Sequence, residues 1–145
     1  MINIICVGKI KEQYLVELIN DYQKRINKYH KLNIVELKDN DDITKETKDI
    51  VKYINSKDYN IALSINGNKY DSLGFASHIE SLFIKNGTIN FIIGGSNGLE
   101  TEVLNLCNEE ISFSALTFPH GLFRGILLEQ IYRSFKINNN EKYHK

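Results

Sequence analysis

Apolar residues follow two alternating patterns along the chain. Five short apolar runs are typical of buried strands and lie at residues 2–7, 32–37, 60–65, 89–93 and 111–114. Between and after them, apolar residues recur at steps of three and four, which predicts helices over 12–29, 44–56, 72–85, 99–108 and 121–136. This alternation predicts a single α/β domain over residues 1–145, with a mostly parallel sheet flanked by helices.

The predicted last helix is apolar over a wider arc than one core face requires. Leu122, Phe123, Leu127 and Ile131 belong to this arc, and an exposed apolar patch favours two-fold association between identical chains. We therefore predict a homodimer built around this helix. Residues 138–145 begin with a polar stretch, which predicts a flexible tail in the absence of substrate.

Composition limits the compartment and the partners. The 18 basic and 18 acidic side chains give no formal net charge, which argues against a broad electrostatic grip on nucleic acid. Local basic clusters at 24–31 and 124–145 leave RNA open as a partner. No signal peptide and no run long enough to span a bilayer is visible, so we predict a cytoplasmic protein without a membrane partner. The two cysteines and four scattered histidines lack metal-ligand spacing, which predicts no metal site.

Two of the predicted strands end in loops that are suited to binding a ligand. The first loop follows the fourth strand as "IIGGSNGL", where Gly94 and Gly95 permit close approach to the backbone. The second follows the fifth strand as "ISFSALTFPH" and holds Pro119, the only proline of the chain, beside His120. Open α/β sheets bind ligands at the carboxyl ends of their strands. The two loops together therefore predict a binding site.

The residue pattern disfavours several kinds of chemistry at this site. The glycine loop lacks the Lys-Ser/Thr pair of a phosphate-binding P-loop and does not follow the first strand, as a dinucleotide fingerprint would. Ser114 and Thr117 lack a nucleophile-elbow context, which disfavours a hydrolase; their alternative role is to bond loop backbone groups. Transfer of an activated methyl group needs no metal. Leu63, Leu116 and Phe118 would form an apolar slot for the adenine of a sulfonium methyl donor; the alternative is a structural role for these apolar residues.

The two loop motifs and the closing "EQIYRSFKI…YHK" resemble the smallest SPOUT-class RNA methyltransferases, over essentially the whole chain. Within that class the chain is most similar to the RlmH type, which methylates N3 of a pseudouridine in large-subunit ribosomal RNA. The resemblance implies S-adenosylmethionine as methyl donor and a deep trefoil knot in the carboxyl-terminal third. Because the chain has no separate RNA-binding domain, we expect ribosomal RNA within the assembled ribosome as its partner.

The resemblance also implies the site residues. Cofactor contacts fall on positions at the ends of three predicted strands: Leu63, Gly94, Gly95, Phe113, Ser114, Ala115, Leu116, Thr117 and Phe118. Position 64 departs from the family, since Ser64 stands where an acidic residue is common, which leaves its contact open.

Three further residues are candidates for the catalytic steps. We predict that Arg124 stabilises the anion that develops on the uracil ring, while His144 or His120 removes the N3 proton. The alternatives are a hydrogen-bonded loop histidine at 120, a surface arginine at 124 and a solvated side chain at 144. The alternative function is a non-catalytic RNA-associated binding module of the same fold.

Overall fold

One sheet of five parallel strands lies between two layers of helices. The structure is a computed structural model that describes all residues, 1–145. Its elements are β1 (Ile2–Val7), α1 (Gln13–Ile26), β2 (Leu32–Leu37), α2 (Ile43–Val51), β3 (Tyr59–Lys69), α3 (Ser72–Lys85), β4 (Ile89–Ile93), α4 (Thr101–Leu106), β5 (Glu109–Ser112) and α5 (His120–Asn138). The predicted α/β fold and its order of strands and helices are confirmed.

The strand order brings three strand ends together at one edge. The order across the sheet is β2-β1-β4-β3-β5, and every neighbouring pair is parallel. The chain builds β1 and β2, crosses to β3, and then returns to place β4 between β1 and β3. All carboxyl ends therefore lie at the same edge of the sheet, with those of β4, β3 and β5 side by side.

β3 extends further than its apolar run predicts. Its register against β5 shifts, because Leu63 and Asn68 both pair with Ile111 and the residues between them bulge outward. At Gly67 a Cβ would lie 2.6 Å from the backbone of Glu110, so only glycine fits at this crossing. Residues 66–69 are Asn-Gly-Asn-Lys, so a search for apolar runs ended at residue 65 and missed this part of the strand.

The helices bury both faces of the sheet, which explains why the strands read as continuous apolar runs. The larger core joins one face to α1, α3 and α5, and Ile4, Phe91 and Ile131 are all fully buried in it. The smaller core joins the other face to α2 and α4, around Ile92 and Val103. The site-forming edge is thus held from both sides by packed helices.

The wide apolar arc of α5 is buried within a single chain. α5 packs against α1 on one side and α3 on the other while it also faces the sheet. Leu127 and Ile131 have no exposed surface, and of the predicted arc only Leu122, at 36%, counts as exposed. The arc therefore gives no support of its own to a dimer. None of the five helices combines the length and hydrophobicity needed to cross a bilayer.

The carboxyl-terminal tail packs on the protein, in contrast to the loose tail predicted for residues 138–145. The ring of Tyr143 meets that of Tyr132 edge-on at 4.9 Å, and its hydroxyl lies 3.2 Å from the hydroxyl of Tyr22. The Arg133 guanidinium lies 4.8 Å from the Tyr143 ring centre, and Glu141 accepts a hydrogen bond from Lys136. These partners lie on the packed helices α1 and α5, so the polar composition of the tail alone did not reveal them.

Candidate functional site

A cavity of about 440 Å³ opens where β3, β4 and β5 end. Its volume lies within the range of small-molecule and cofactor sites, about 300–1,000 Å³. The strand ends, the glycine loop, the loop before α5 and the first turn of α5 line it, and these include Leu63, Gly94, Gly95, Phe113, Ser114, Leu116, Thr117, Phe118 and His120. Thus every predicted cofactor residue except Ala115 lines one cavity, and Ser64 lines it as well.

Aromatic rings form one wall of the cavity. Phe123 of α5 meets Phe113 edge-on at 5.5 Å and stacks parallel to Phe118 at 6.4 Å, so α5 supports the preceding loop. Leu116 stands at the mouth with 70% of its surface exposed. A flat apolar group can therefore enter between a supported aromatic wall and a free leucine.

The loop of residues 113–118 has unpaired backbone groups. It forms no hydrogen bond between backbone atoms, because it lies between β5 and α5 without a neighbouring strand. Ser114 shapes the loop locally: its hydroxyl accepts from the Leu116 N–H at 2.9 Å, and its carbonyl accepts from the Ser112 hydroxyl at 3.2 Å. The backbone groups of Ala115 and Thr117 stay free, so the loop can offer both donors and acceptors to a ligand.

The glycine loop is closed by the chain itself. A Cβ at Gly94 would lie 2.5 Å from the carbonyl oxygen of Gly98, and Gly98 donates its N–H to the Gly95 carbonyl at 3.0 Å. Gly98 has φ +72°, the left-handed region that favours glycine. The sequence predicted that a ligand approaches the backbone at Gly94. In the structure the backbone of Gly98 makes this close approach, and a ligand would contact the rim of the turn.

Glu46 supports the glycine loop from behind and was not predicted. This α2 residue is 2% exposed; its Oε2 accepts from the Asn40 N–H at 2.8 Å, while its Oε1 has no partner and would lie 3.6 Å from a Cβ on Gly95. Next to it, the Thr47 hydroxyl donates to Glu100 at 2.8 Å. The available signal was a charged residue within the apolar stripe of a helix, four positions before the buried Ile50.

We expect the free energy of unfolding of Glu46→Gln, taken relative to that of the wild type, to rise as the pH increases above about 4.5. Burial, together with the neighbouring Asp39, raises the pKa of Glu46 from that ordinary value. Between the unfolded and folded pKa values the native state binds the extra proton, so the free energy of unfolding falls with increasing pH. Thermal unfolding from pH 4 to 8 measures this; exposed Glu102→Gln is the control, and parallel profiles of wild type and Glu46→Gln would contradict it.

His120 begins α5 and lines the cavity with an unpaired ring. Its Nε2 would lie 3.0 Å from a Cβ on Gly8, so the ring packs on the loop that follows β1. Gly8 has φ +99°, and this left-handed turn brings the loop under the ring. The ring nitrogens form no hydrogen bond within the chain, in contrast to the alternative of a hydrogen-bonded loop histidine. His120 is therefore free to exchange a proton with a bound molecule.

Arg124 does not reach the cavity, and the predicted direct stabilisation of an anion is not supported. The residue is 2% exposed; its Nη1 donates to Glu36 at 2.7 Å and its Nη2 to the Gly8 carbonyl at 2.9 Å. Helical spacing places it one turn below His120, on the side of β1 and β2. Because Gly8 carries the His120 ring, Arg124 positions that histidine indirectly.

His144 lies far from the cavity of its own chain. Its Nδ1 accepts a hydrogen bond from Nη1 of Arg133 at 3.0 Å. Arg133 follows His120 by thirteen residues on α5, which corresponds to about 20 Å along the axis at 1.5 Å per residue. The structure therefore does not bring the two predicted catalytic histidines together within one chain.

Comparison with known proteins agrees with this fold. A family model described as a predicted SPOUT methyltransferase matches residues 1–144, so the chain belongs to the SPOUT methyltransferase family. A relative from Fusobacterium nucleatum, named ribosomal RNA large subunit methyltransferase H, is 47% identical over 99% of both chains. These matches confirm the family predicted from the loop motifs.

Two solved structures share the fold at low sequence identity. A probable methylase family protein from Haemophilus influenzae has a TM-score of 0.58 at 16% identity, with 99% of this chain and 70% of that chain covered. The methyltransferase AviRb of Streptomyces viridochromogenes, solved with AdoMet, has a TM-score of 0.51 at 10% identity, with 92% and 57% covered. Both show that the chain shares their fold.

Proposed function

We propose that this protein transfers a methyl group from S-adenosylmethionine to N3 of a pseudouridine in large-subunit ribosomal RNA. The observation that carries the proposal is the cavity at the ends of β3, β4 and β5, lined by residues of both loop motifs. The name of the Fusobacterium nucleatum relative supports large-subunit ribosomal RNA as the substrate class. The cytoplasm, where ribosomes are assembled, is the corresponding compartment.

The cavity residues fit S-adenosylmethionine. Leu63, Leu116 and Phe118 offer an apolar slot for the adenine, and the unpaired backbone of residues 113–118 offers it donors and acceptors. The glycine turn at residues 94–98 lines the same cavity, so its rim is accessible to the other parts of S-adenosylmethionine. When bound, the cofactor supplies a methyl group that is already activated by a positively charged sulfur. The protein's own task is then to orient the acceptor and to exclude water.

His120 is the residue best placed to remove the N3 proton. The nucleophilic nitrogen gains a bond to the methyl carbon and loses its proton, so a base must accept that proton during the attack. His120 lines the cavity with unpaired ring nitrogens, and an imidazole is suited to this role near neutral pH. Arg124 holds Gly8, on which the ring packs, and so keeps the base in position.

A homodimer would bring His144 to a cavity as well. The tail and the cavity of one chain lie at opposite ends of α5, so a tail that contributes to catalysis must come from a second copy. Two-fold pairing is the commonest arrangement of identical chains. Light scattering at micromolar concentration tests this proposal. A monomer with full activity would contradict it.

Methyl transfer to assembled ribosomes tests the proposed function. The ribosomes come from cells that lack this chain, and labelled S-adenosylmethionine reports the transfer. We expect one methyl group per ribosome, on a pseudouridine of the large-subunit RNA. Cofactor binding without any transfer would favour the alternative, a non-catalytic RNA-associated module of the same fold. Absence of both would contradict the proposal.

A further inference from the structure

A second concave surface lies beside the cavity, at the ends of β1 and β2. This groove has a volume of about 810 Å³, larger than the cavity. Lys9 and Lys11 follow β1, and Lys38 follows β2, so three lysines from two loops line one groove. We call it the lysine groove. It occupies the same edge of the sheet as the cavity, because the strands are parallel.

The lysines of this groove are free to contact an anion. Lys9, Lys11 and Lys38 are exposed and take part in no ion pair, whereas Arg25, Arg133 and Lys136 elsewhere are each paired with a carboxylate. Of the acidic side chains in the groove, Glu36 is paired with Arg124. The three lysines outnumber the remaining acids, Glu12 and Asp39. The groove therefore has a local excess of positive charge on a chain with no net charge.

Tyr14 adds an aromatic surface to the same groove. It lies in the first turn of α1 with 70% of its surface exposed, and it contributes little to the core. An exposed tyrosine among lysines combines a stacking surface with charges that suit phosphates, which is the composition of single-strand nucleic-acid sites. Stacking on Tyr14 would not depend on which base is presented.

His120 connects the lysine groove to the cavity, because it lines both. A strand that lies in the groove can therefore continue over His120 and place its next nucleotide at the cavity. We propose that the lysine groove binds the single-stranded RNA segment adjacent to the target nucleotide, with phosphates at Lys9, Lys11 and Lys38 and a base on Tyr14. The inference rests on the proposed function and assigns its RNA contact surface.

The test compares two triple variants with the same change in charge. Lys9→Gln/Lys11→Gln/Lys38→Gln alters the groove, and Lys48→Gln/Lys57→Gln/Lys85→Gln alters exposed lysines outside it. We expect the groove variant to raise KM for assembled ribosomes at least about tenfold, with kcat and cofactor affinity within twofold of wild type. The slope of log KM against log salt concentration should also decrease by about two. Each phosphate contact on a single strand contributes about 0.7 to this slope, and the variant removes three contacts. The control variant should match the wild type.

A second pair of variants tests the stacking surface. Tyr14→Ala should raise KM at least about fivefold, whereas Tyr14→Phe, which keeps the ring, should stay within twofold. Unchanged KM and salt slope in the groove variant would overturn the inference, while transfer by the wild type would still support the proposed function. A changed oligomeric state in the groove variant would also overturn it and would assign the groove to contact between copies. Circular dichroism verifies that each variant is folded.

Discussion

Replacing Leu116 by arginine should weaken S-adenosylmethionine binding at least about a hundredfold, which corresponds to about 2.7 kcal/mol. Leu116 lines the cavity but is 70% exposed, so the substitution removes no core packing. The new guanidinium would replace an apolar wall of the proposed adenine slot with a charged group, and it would add a positive charge to a cavity that takes a positively charged cofactor. Calorimetry with S-adenosylmethionine measures the loss.

Leu106→Arg is the matched control for this experiment. Leu106 ends α4, is 46% exposed and does not line the cavity, so we expect its cofactor affinity to match the wild type. Gly94→Val is less informative, because its side chain would collide with the Gly98 carbonyl and would break the glycine turn itself. Equal affinity in folded Leu116→Arg and wild type would place the cofactor elsewhere.

Deleting Tyr143–Lys145 should cut methyl transfer at least roughly tenfold, the scale of a lost positioning or acid–base group. Cofactor affinity should change little, because the deletion leaves every residue that lines the cavity in place. Dimerisation should change little, because α1 and α5 stay intact. The Tyr143 ring packs on Tyr132, so a decrease in thermal stability should accompany the deletion. Methyl transfer to assembled ribosomes and thermal unfolding, measured together, separate the two effects.

Point substitutions separate the ring of His144 from the packing of the tail. His144→Asn keeps Tyr143 in place and removes only the titratable ring, and His120→Asn makes the same change at the cavity. If the truncated protein methylates at the full-length rate, the tail has no catalytic role. The N3 proton would then leave by way of His120 or water.

The fold was largely predictable because its signals are local. Parallel strands buried on both faces give continuous apolar runs, and the predicted runs at 2–7, 32–37 and 89–93 coincide with β1, β2 and β4. The second half of β3 was missed because its pairing with β5 depends on a bulge and on close approach at Gly67, which apolar periodicity does not encode. The cavity residues were predictable as far as strand ends and family motifs locate them.

The errors concern directions and partners set by distant parts of the chain. Helical spacing places Arg124 below His120, but the arginine turns away because Glu36 and the Gly8 carbonyl offer partners. The role of Glu46 was not predicted, because its contact joins α2 to the glycine loop after β4, and these segments are far apart in the sequence. The trefoil knot and the homodimer stay predictions. The knot depends on the path of the chain, and the apolar arc from which the homodimer was predicted is largely buried within one chain.

Mass mapping of ribosomal RNA modifications in cells with and without this chain tests the central claim most directly. The account predicts that one pseudouridine of large-subunit ribosomal RNA loses its N3 methyl group when the chain is absent. The methyl group should return with the wild-type protein but not with Leu116→Arg. An identical modification map in both kinds of cell would contradict the account.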